Sequence, residues 1–264
     1  MKKFFRGLLA ELPARESEGI AFFGGEGDGD FFDAEDIRRW ETGGLKANWE
    51  KKTLGENEAG RKLLRKILQK GDPVIDLASG PGLGLLPEIL RASPELPCLA
   101  LDACPEVLLA WSRMFRENGM KNAPDLAEAS LFRLPFLDGS VPAYTSFIGI
   151  SAVRNGEEGC AAALGEIRRT LREDGAVYAV ENEYENLPGI LRLFEKAGEE
   201  PWDVFREYRG PWRKRFEKAG FRVESEESFL RRNMRESDNE LGQMAKACGE
   251  EVFLRFTAFC LRKR

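Results

Sequence analysis

The stretch VIDLASGPGLGLLPEIL, residues 74 to 90, sets an acid, Asp76, four residues before Gly80 and six before Gly82, where an apolar run gives way to a helical pattern. A bare loop between a first strand and its helix lets backbone approach a ligand closely, since glycine has no side chain to hold it off. Two phosphate-bearing ligands use loops of this kind. A dinucleotide site needs G-x-G-x-x-G, with N–H groups and a helix N-terminus turned to a pyrophosphate. Here Gly80, Gly82 and Gly84 give G-x-G-x-G, Leu85 stands at the third expected glycine, and Pro81 has no N–H to offer. A P-loop needs a lysine after its glycines, and none follows. What remains is D-x-x-x-G-x-G with a second acid, Asp102, closing the next apolar run, LPCLALDA. A carboxylate at that point can accept from two neighbouring hydroxyls at once. The chain has no histidine, which removes histidine triads, histidine metal sites and a histidine base. Its five cysteines include no C-x-x-C pair, so buried thiols are expected, and neither a metal site nor a disulfide framework.

The elements that must hold these residues follow from the apolar spacing. From about residue 57, strand-like and helix-like segments alternate, the pattern of a parallel sheet covered by helices. The spacing predicts a helix over 57–70, with Leu63, Leu64, Ile67 and Leu68 on one face, and strands at 73–78, 96–103, 126–130 and 142–150. A helix at 157–173, stopped by Gly175, leads to a fifth strand, AVYAVENE; GFRVESEE is a sixth and EVFLRFTAFCLRKR the last. Further helices are expected near 187–198 and 202–219, and the S-x-x-E spacing of Ser237 and Glu240 reads as a capping box for a helix to about Cys248. Phe5, Leu8, Leu9 and Leu12 fall on the stripe of a short amphipathic helix. Residues 19–55, rich in glycine and acids with scattered aromatics, read as a cap before the core. A chain of 264 residues with net charge -5 lacks the basic surface of a general nucleic-acid binder. No segment approaches the ~20 apolar residues of a membrane span, and Arg6 and Glu11 interrupt the N-terminal apolar stretch, so the chain reads as cytoplasmic, with no membrane partner.

Four ordered segments together, DLASGPG, the Asp102 strand tip, EASLFRLPFLDGSV (128–141) and EIRRTLREDGAVYAVEN (166–182), resemble the class I S-adenosylmethionine (SAM)-dependent methyltransferases, and among them the small-molecule branch. The resemblance covers residues 57 to about 182. It implies an α/β, Rossmann-like, doubly wound sheet of seven strands, mostly parallel with an antiparallel last strand, as residues 57–264, preceded by an N-terminal helical cap, residues 1–56. It implies SAM as the cofactor, held by Asp76, Ala78, Ser79, Gly80, Gly82, Asp102, Ala103, Ser130, Leu131 and Phe147, with Asp102 on the ribose hydroxyls. The family's adenine-contacting Asp falls on Ser130, and its Phe-Asp pair after Leu134-Pro135-Phe136 is replaced by Val141-Pro142. SFIGISAVRN after the fourth strand differs from the [DNS]-P-P-[YF] of base methylases, which counts against a DNA or RNA base methylase; the resemblance implies a small-molecule acceptor. Its side of the site is expected among Phe147, Ser151, Arg154, Glu181, Glu183 and Tyr184, with Phe31, Phe32, Trp40 and Trp49 of the cap; acids and aromatics together suit a cationic or amine-bearing acceptor. A methyltransferase-like SAM or nucleoside binder without turnover and an NAD(P)-dependent oxidoreductase stay open as alternatives.

Overall fold

The computed structural model describes every residue except 25–34, 36–37, 39–43, 53, 154 and 203–210. In chain order it runs α1 (Lys3–Arg6), β1 (Arg15–Ser17), β2 (Ile20–Phe22), α2 (Leu45–Glu50), α3 (Glu58–Lys70), β3 (Val74–Leu77), α4 (Leu86–Ala92), β4 (Cys98–Asp102), α5 (Pro105–Glu117), β5 (Asp125–Glu128), β6 (Val141–Phe147) and α6 (Gly156–Thr170). There follow β7 (Leu171–Glu185), α7 (Leu187–Ala197), α8 (Trp212–Lys218), β8 (Phe221–Asn233), α9 (Glu240–Cys248) and β9 (Phe253–Lys263).

The strands form one sheet in the order β1-β2-β5-β4-β3-β6-β7-β9-β8. Pairings from β2 through β7 are parallel, and β1, β9 and β8 join antiparallel. Strand order reverses between β3 and β6, and in an open α/β sheet the crevice beyond the carboxyl ends at such a reversal is where ligands bind. The central strands are buried on both faces, as parallel strands covered by helices must be. Alternate residues feed two cores: Val74, Cys98 and Ala100 pack with α3, α4 and α5, while Ile75, Leu77, Leu99 and Leu101 pack with α6 and α8. A third cluster, of α7 and α9 side chains with Leu254, sits where β7 and β9 run on past the end of β6.

Several expectations change. The sheet has nine strands among the described residues where seven were expected, because Ile20–Phe22 pairs in parallel with β5 and carries β1 with it; three residues are too few to show an alternating pattern. The N-terminal segment is therefore partly strand. Its expected helix is confined to Lys3–Arg6, Leu12 is exposed, and Leu9 instead bridges to Phe136. Gly175 does not stop α6, which ends at Thr170. Its Cβ position would lie 3.0 Å from the Pro142 carbonyl, so glycine serves a close passage beside β6. The cap of α9 is Asn239, whose side chain accepts from the Gly242 N–H at 2.9 Å, and not Ser237.

Candidate functional site

Beyond the carboxyl end of β3 the chain turns through Ala78 (φ +47°), Gly80 (φ +57°) and Gly84 (φ +51°) before α4 begins. Asp76 lies fully buried behind this loop. Its Oδ1 accepts from Thr145 Oγ1 on β6 at 2.5 Å, and Ser79 Oγ donates to the Asp76 carbonyl at 3.0 Å. Oδ2 has no hydrogen-bond partner among the described residues and faces Gly84. Burial, opposed by Thr145, pushes the Asp76 carboxyl up to about 7. Asp102, at the tip of β4, accepts from the Gly80 N–H at 2.7 Å and from the Cys104 N–H at 2.9 Å, while Trp111 Nε1 donates to the Gly80 carbonyl at 3.1 Å. Gly80 is thereby gripped at both ends. Burial raises the Asp102 carboxyl, against the pull of those backbone N–H groups.

Across the strand reversal, the turn after β6 carries Ile148 at φ +63°, a costly conformation for a β-branched residue. Gly149 follows, where a Cβ would come within 2.6 Å of the Leu77 carbonyl. Between the two loops opens a cavity of about 390 Å³, lined by Ala78 to Gly82, Gly84, Phe147 to Gly149, Ala152, Asn48, Lys51, Pro87 and Glu88. The N-terminal segment is tied over it: Asn48 Nδ2 donates to the Pro81 carbonyl at 2.9 Å, Glu88 accepts from the Leu54 and Gly55 N–H groups, and Arg91 donates to the Trp49 and Lys51 carbonyls. At Gly80 and Gly82 nothing lies within 4 Å of where a Cβ would stand, so the loop leaves an open cradle. With no row of N–H donors and a carboxylate beside it, the cradle suits an uncharged ribose and an amino-acid tail better than a pyrophosphate.

Residues 77–179 match the profile of a family described as "Methyltransferase domain". Over those residues the chain carries a SAM-dependent methyltransferase domain. No curated protein matches the sequence significantly. Among solved structures, the MccD protein is similar at 15% identity and TM-score 0.53, covering 78% of this chain and 98% of that one. Geranyl diphosphate methyltransferase, solved with GPP and sinefungin, is similar at 12% identity and TM-score 0.52 over 78% and 79%. The [4+2]-cyclase SpnF is similar at 13% identity and TM-score 0.50 over 86% and 96%. At such identities the likeness is one of fold. Methyl transfer from SAM is carried by the domain match, which sets the NAD(P)-dependent oxidoreductase aside.

In this methyltransferase, Ala78, Ser79, Gly80, Gly82 and Phe147 meet on the one cavity. Asp102 ends β4, Ala103 follows it and Ser130 follows β5, all outside the cavity lining, and the Leu131 side chain packs into the α6 side of the core. Ser130 Oγ accepts from the Phe132 N–H at 3.0 Å. Of the described residues expected on the acceptor side, Phe147 alone lines the cavity. Glu181 is fully buried and accepts from Ser146 Oγ and the N–H groups of Ile150 and Ser151. Glu183, also buried, pairs with Arg255, and Tyr184 packs on the third cluster. Trp49 sets its ring tilted against Trp111 and edge-on to Phe115, and does not join Asn48 and Lys51 in lining the cavity. Arg154, Phe31, Phe32 and Trp40 lie outside the described residues. The acids expected to draw a cationic acceptor are therefore spent inside the fold. Asn48, Lys51, Ile148, Gly149 and Glu88 were not anticipated; the one sequence signal for Glu88 is a lone acid in the apolar run LLPEIL. Burial pushes the Cys98, Cys104, Cys160 and Cys260 thiols up to about 12, and none is poised to act as a nucleophile. No group of three metal-binding side chains occurs among the described residues, and no helix among them is long and apolar enough to cross a membrane.

Proposed function

We propose that this methyltransferase alkylates a small-molecule acceptor, and that the loop from Asp76 to Gly82, with Asp102, Ser130 and Phe147, forms the cofactor side of its site. SAM supplies a methyl carbon already activated on a sulfonium, open to in-line displacement by a nucleophile held on the far side. The chain's part is positioning and the exclusion of water, and neither needs histidine. Asp102 accepts from vicinal hydroxyls with the lone pairs that Gly80 and Cys104 leave free. Lys51, exposed at the cavity rim with no acid against it among the described residues, offers a cation to a carboxylate. Phe147, Ile148, Pro81 and Pro87 give the apolar walls. Residues 1–56 act as an extension over the catalytic unit 57–264.

The observation that carries this reading is the cavity itself: about 390 Å³, set at the strand reversal and roofed by the N-terminal segment, is of the size that encloses one small ligand. A neighbour in fold, geranyl diphosphate methyltransferase, was solved with a small molecule, GPP. The test is incubation with methyl-labelled SAM and a cell extract, followed by size fractionation. Label is expected in the small-molecule filtrate. Label confined to protein or nucleic acid would overturn the acceptor class, and binding without any labelled product would favour the non-turnover alternative.

Asp102→Ala is expected to weaken binding of S-adenosylhomocysteine (SAH) by about 1 to 3 kcal/mol, the scale of a lost charged hydrogen bond, measured by calorimetry. Asp102→Asn, which keeps one acceptor oxygen, should lose less. Equal affinity in all three proteins would remove Asp102 from the cofactor side.

A further inference from the structure

The turn after β6 forms one wall of the cavity, and two features show that it does not hold its shape unaided. Ile148 sits at φ +63°, where a β-branched side chain crowds its own backbone. Gly149 is pressed so near the Leu77 carbonyl and the Ala78 side chain that a methyl group would not fit. Some restraint must hold the strained turn in place. The Ile148 N–H donates to the Val180 carbonyl at 2.7 Å and Ser151 Oγ donates to the Ile148 carbonyl at 3.0 Å. Three further donors converge on one side chain. Glu181 Oε1 accepts from the Ile150 N–H at 3.2 Å and from Ser146 Oγ at 3.1 Å, and Oε2 accepts from the Ser151 N–H at 3.1 Å.

We propose that Glu181 is the positioning residue of this site: its carboxylate, sunk beneath the sheet end, pins the Ile148–Ser151 turn against the glycine loop and so sets the cavity wall that faces cofactor and acceptor. It touches neither ligand. The inference rests on the cavity being the SAM site, and it adds a residue that works on that site from behind. A carboxylate suits the task because it offers acceptor lone pairs on both oxygens, where an amide would turn N–H donors toward one of the incoming donors. A residue kept for the core alone would be apolar at such a position, since a fully buried charge without a counter-ion is costly. Among the described residues no cation contacts Glu181: beyond Cys160 of α6, Arg215 of α8 is paired with Glu157, and Asp76 lies across β6 on the opposite face, held by Thr145. Burial pushes the Glu181 carboxyl up to about 7, opposed by Ser151, Ile150 and Ser146. The pin therefore weakens on protonation below neutral pH, when one oxygen becomes a donor.

The test is amide hydrogen exchange of the peptide carrying Ile150 and Ser151, in the full chain, from pH 6 to 8, together with SAH affinity. In the wild type, protection of these two amides against local opening, in which Glu181 stays buried and loses only these donors, should rise with pH as Glu181 ionises, even as global stability falls. In Glu181→Gln it should be lower by about tenfold, the scale of a lost charged hydrogen bond, and flat with pH. SAH affinity should fall in parallel, with protection elsewhere in β6 and β7 retained. Protection in the wild type that does not change with pH would overturn the proposal even if Glu181→Gln fails to fold. So would equal protection in the two proteins, or a loss spread evenly over both strands. Failure of the wild type to bind SAH would instead strike the cofactor reading, and exchange would still decide whether Glu181 pins the turn.

Discussion

Gly84→Ala is expected to destabilise the protein by about 3 kcal/mol or more and to abolish measurable SAH binding. At φ +51°, any residue with a Cβ already pays about 1 to 2 kcal/mol for the left-handed conformation. The larger penalty is the neighbour. A Cβ there would lie 2.2 Å from Asp76 Oδ2 and 2.7 Å from Oδ1, and the carboxylate cannot retreat, because Thr145 holds it from β6 and β3 is buried on both faces. The loop would have to lift away from Asp76, taking Gly80 and its grip on Asp102 with it. Gly82→Ala is the control: its Cβ meets nothing within 4 Å, so stability should change by less than about 1 kcal/mol, while the methyl group intrudes on the cavity and weakens SAH. Urea denaturation and calorimetry on both variants separate the effects. A Gly84→Ala protein as stable as the wild type would show that Asp76 is not pressed against the loop.

Stability is expected to fall as pH rises through neutrality. Asp76 and Glu181 ordinarily ionise near 3.8 and 4.5, and burial carries each to about 7 in the folded chain. A carboxyl raised on folding binds more protons in the native state than in the unfolded one. Its contribution is therefore fully present below about pH 4 and is lost as pH climbs through 7. For two fully buried groups this amounts to on the order of 3 to 4 kcal/mol each. Glu166, Asp174, Glu224 and Glu250 act in the opposite sense, lowered chiefly by Arg169, Arg172, Cys260 and Lys196; their support is lost as pH falls below their ordinary values. Maximum stability is expected between about pH 4.5 and 6. Asp76→Asn should flatten the decline between pH 5 and 8. Denaturant unfolding across that range checks it, and stability that rises from pH 5 to 8 would contradict the buried, uncompensated state of both acids.

Much of the loop proposed to hold the cofactor was legible as backbone, because it rests on rules that a sequence displays directly. Asp76 and Asp102 close short apolar runs, and strands buried on both faces show up as such runs. The glycines mark the loop even though their reasons differ: Gly80 and Gly82 leave an open cradle, whereas Gly84 makes room for Asp76. Which side chains form the opposite wall of the cavity was not legible. Whether Glu181 points to solvent or inward depends on which face of β7 meets the turn after β6, and that follows from register between strands 35 residues apart. Trp49 and Lys51 are two residues apart on α2 and its end, and the side that faces the cavity is set by Glu88 and Arg91 gripping the segment from α4. The strands β1 and β2 were missed because each is three residues long and gains its place from partners.

The most direct measurement is isothermal calorimetry of the full chain with SAH, SAM and NADH in parallel. One molecule of SAH or SAM per chain, with no heat from NADH, is expected of the cleft between the glycine loop and the turn after β6. Binding of NADH, or no binding of either SAM or SAH, would contradict it.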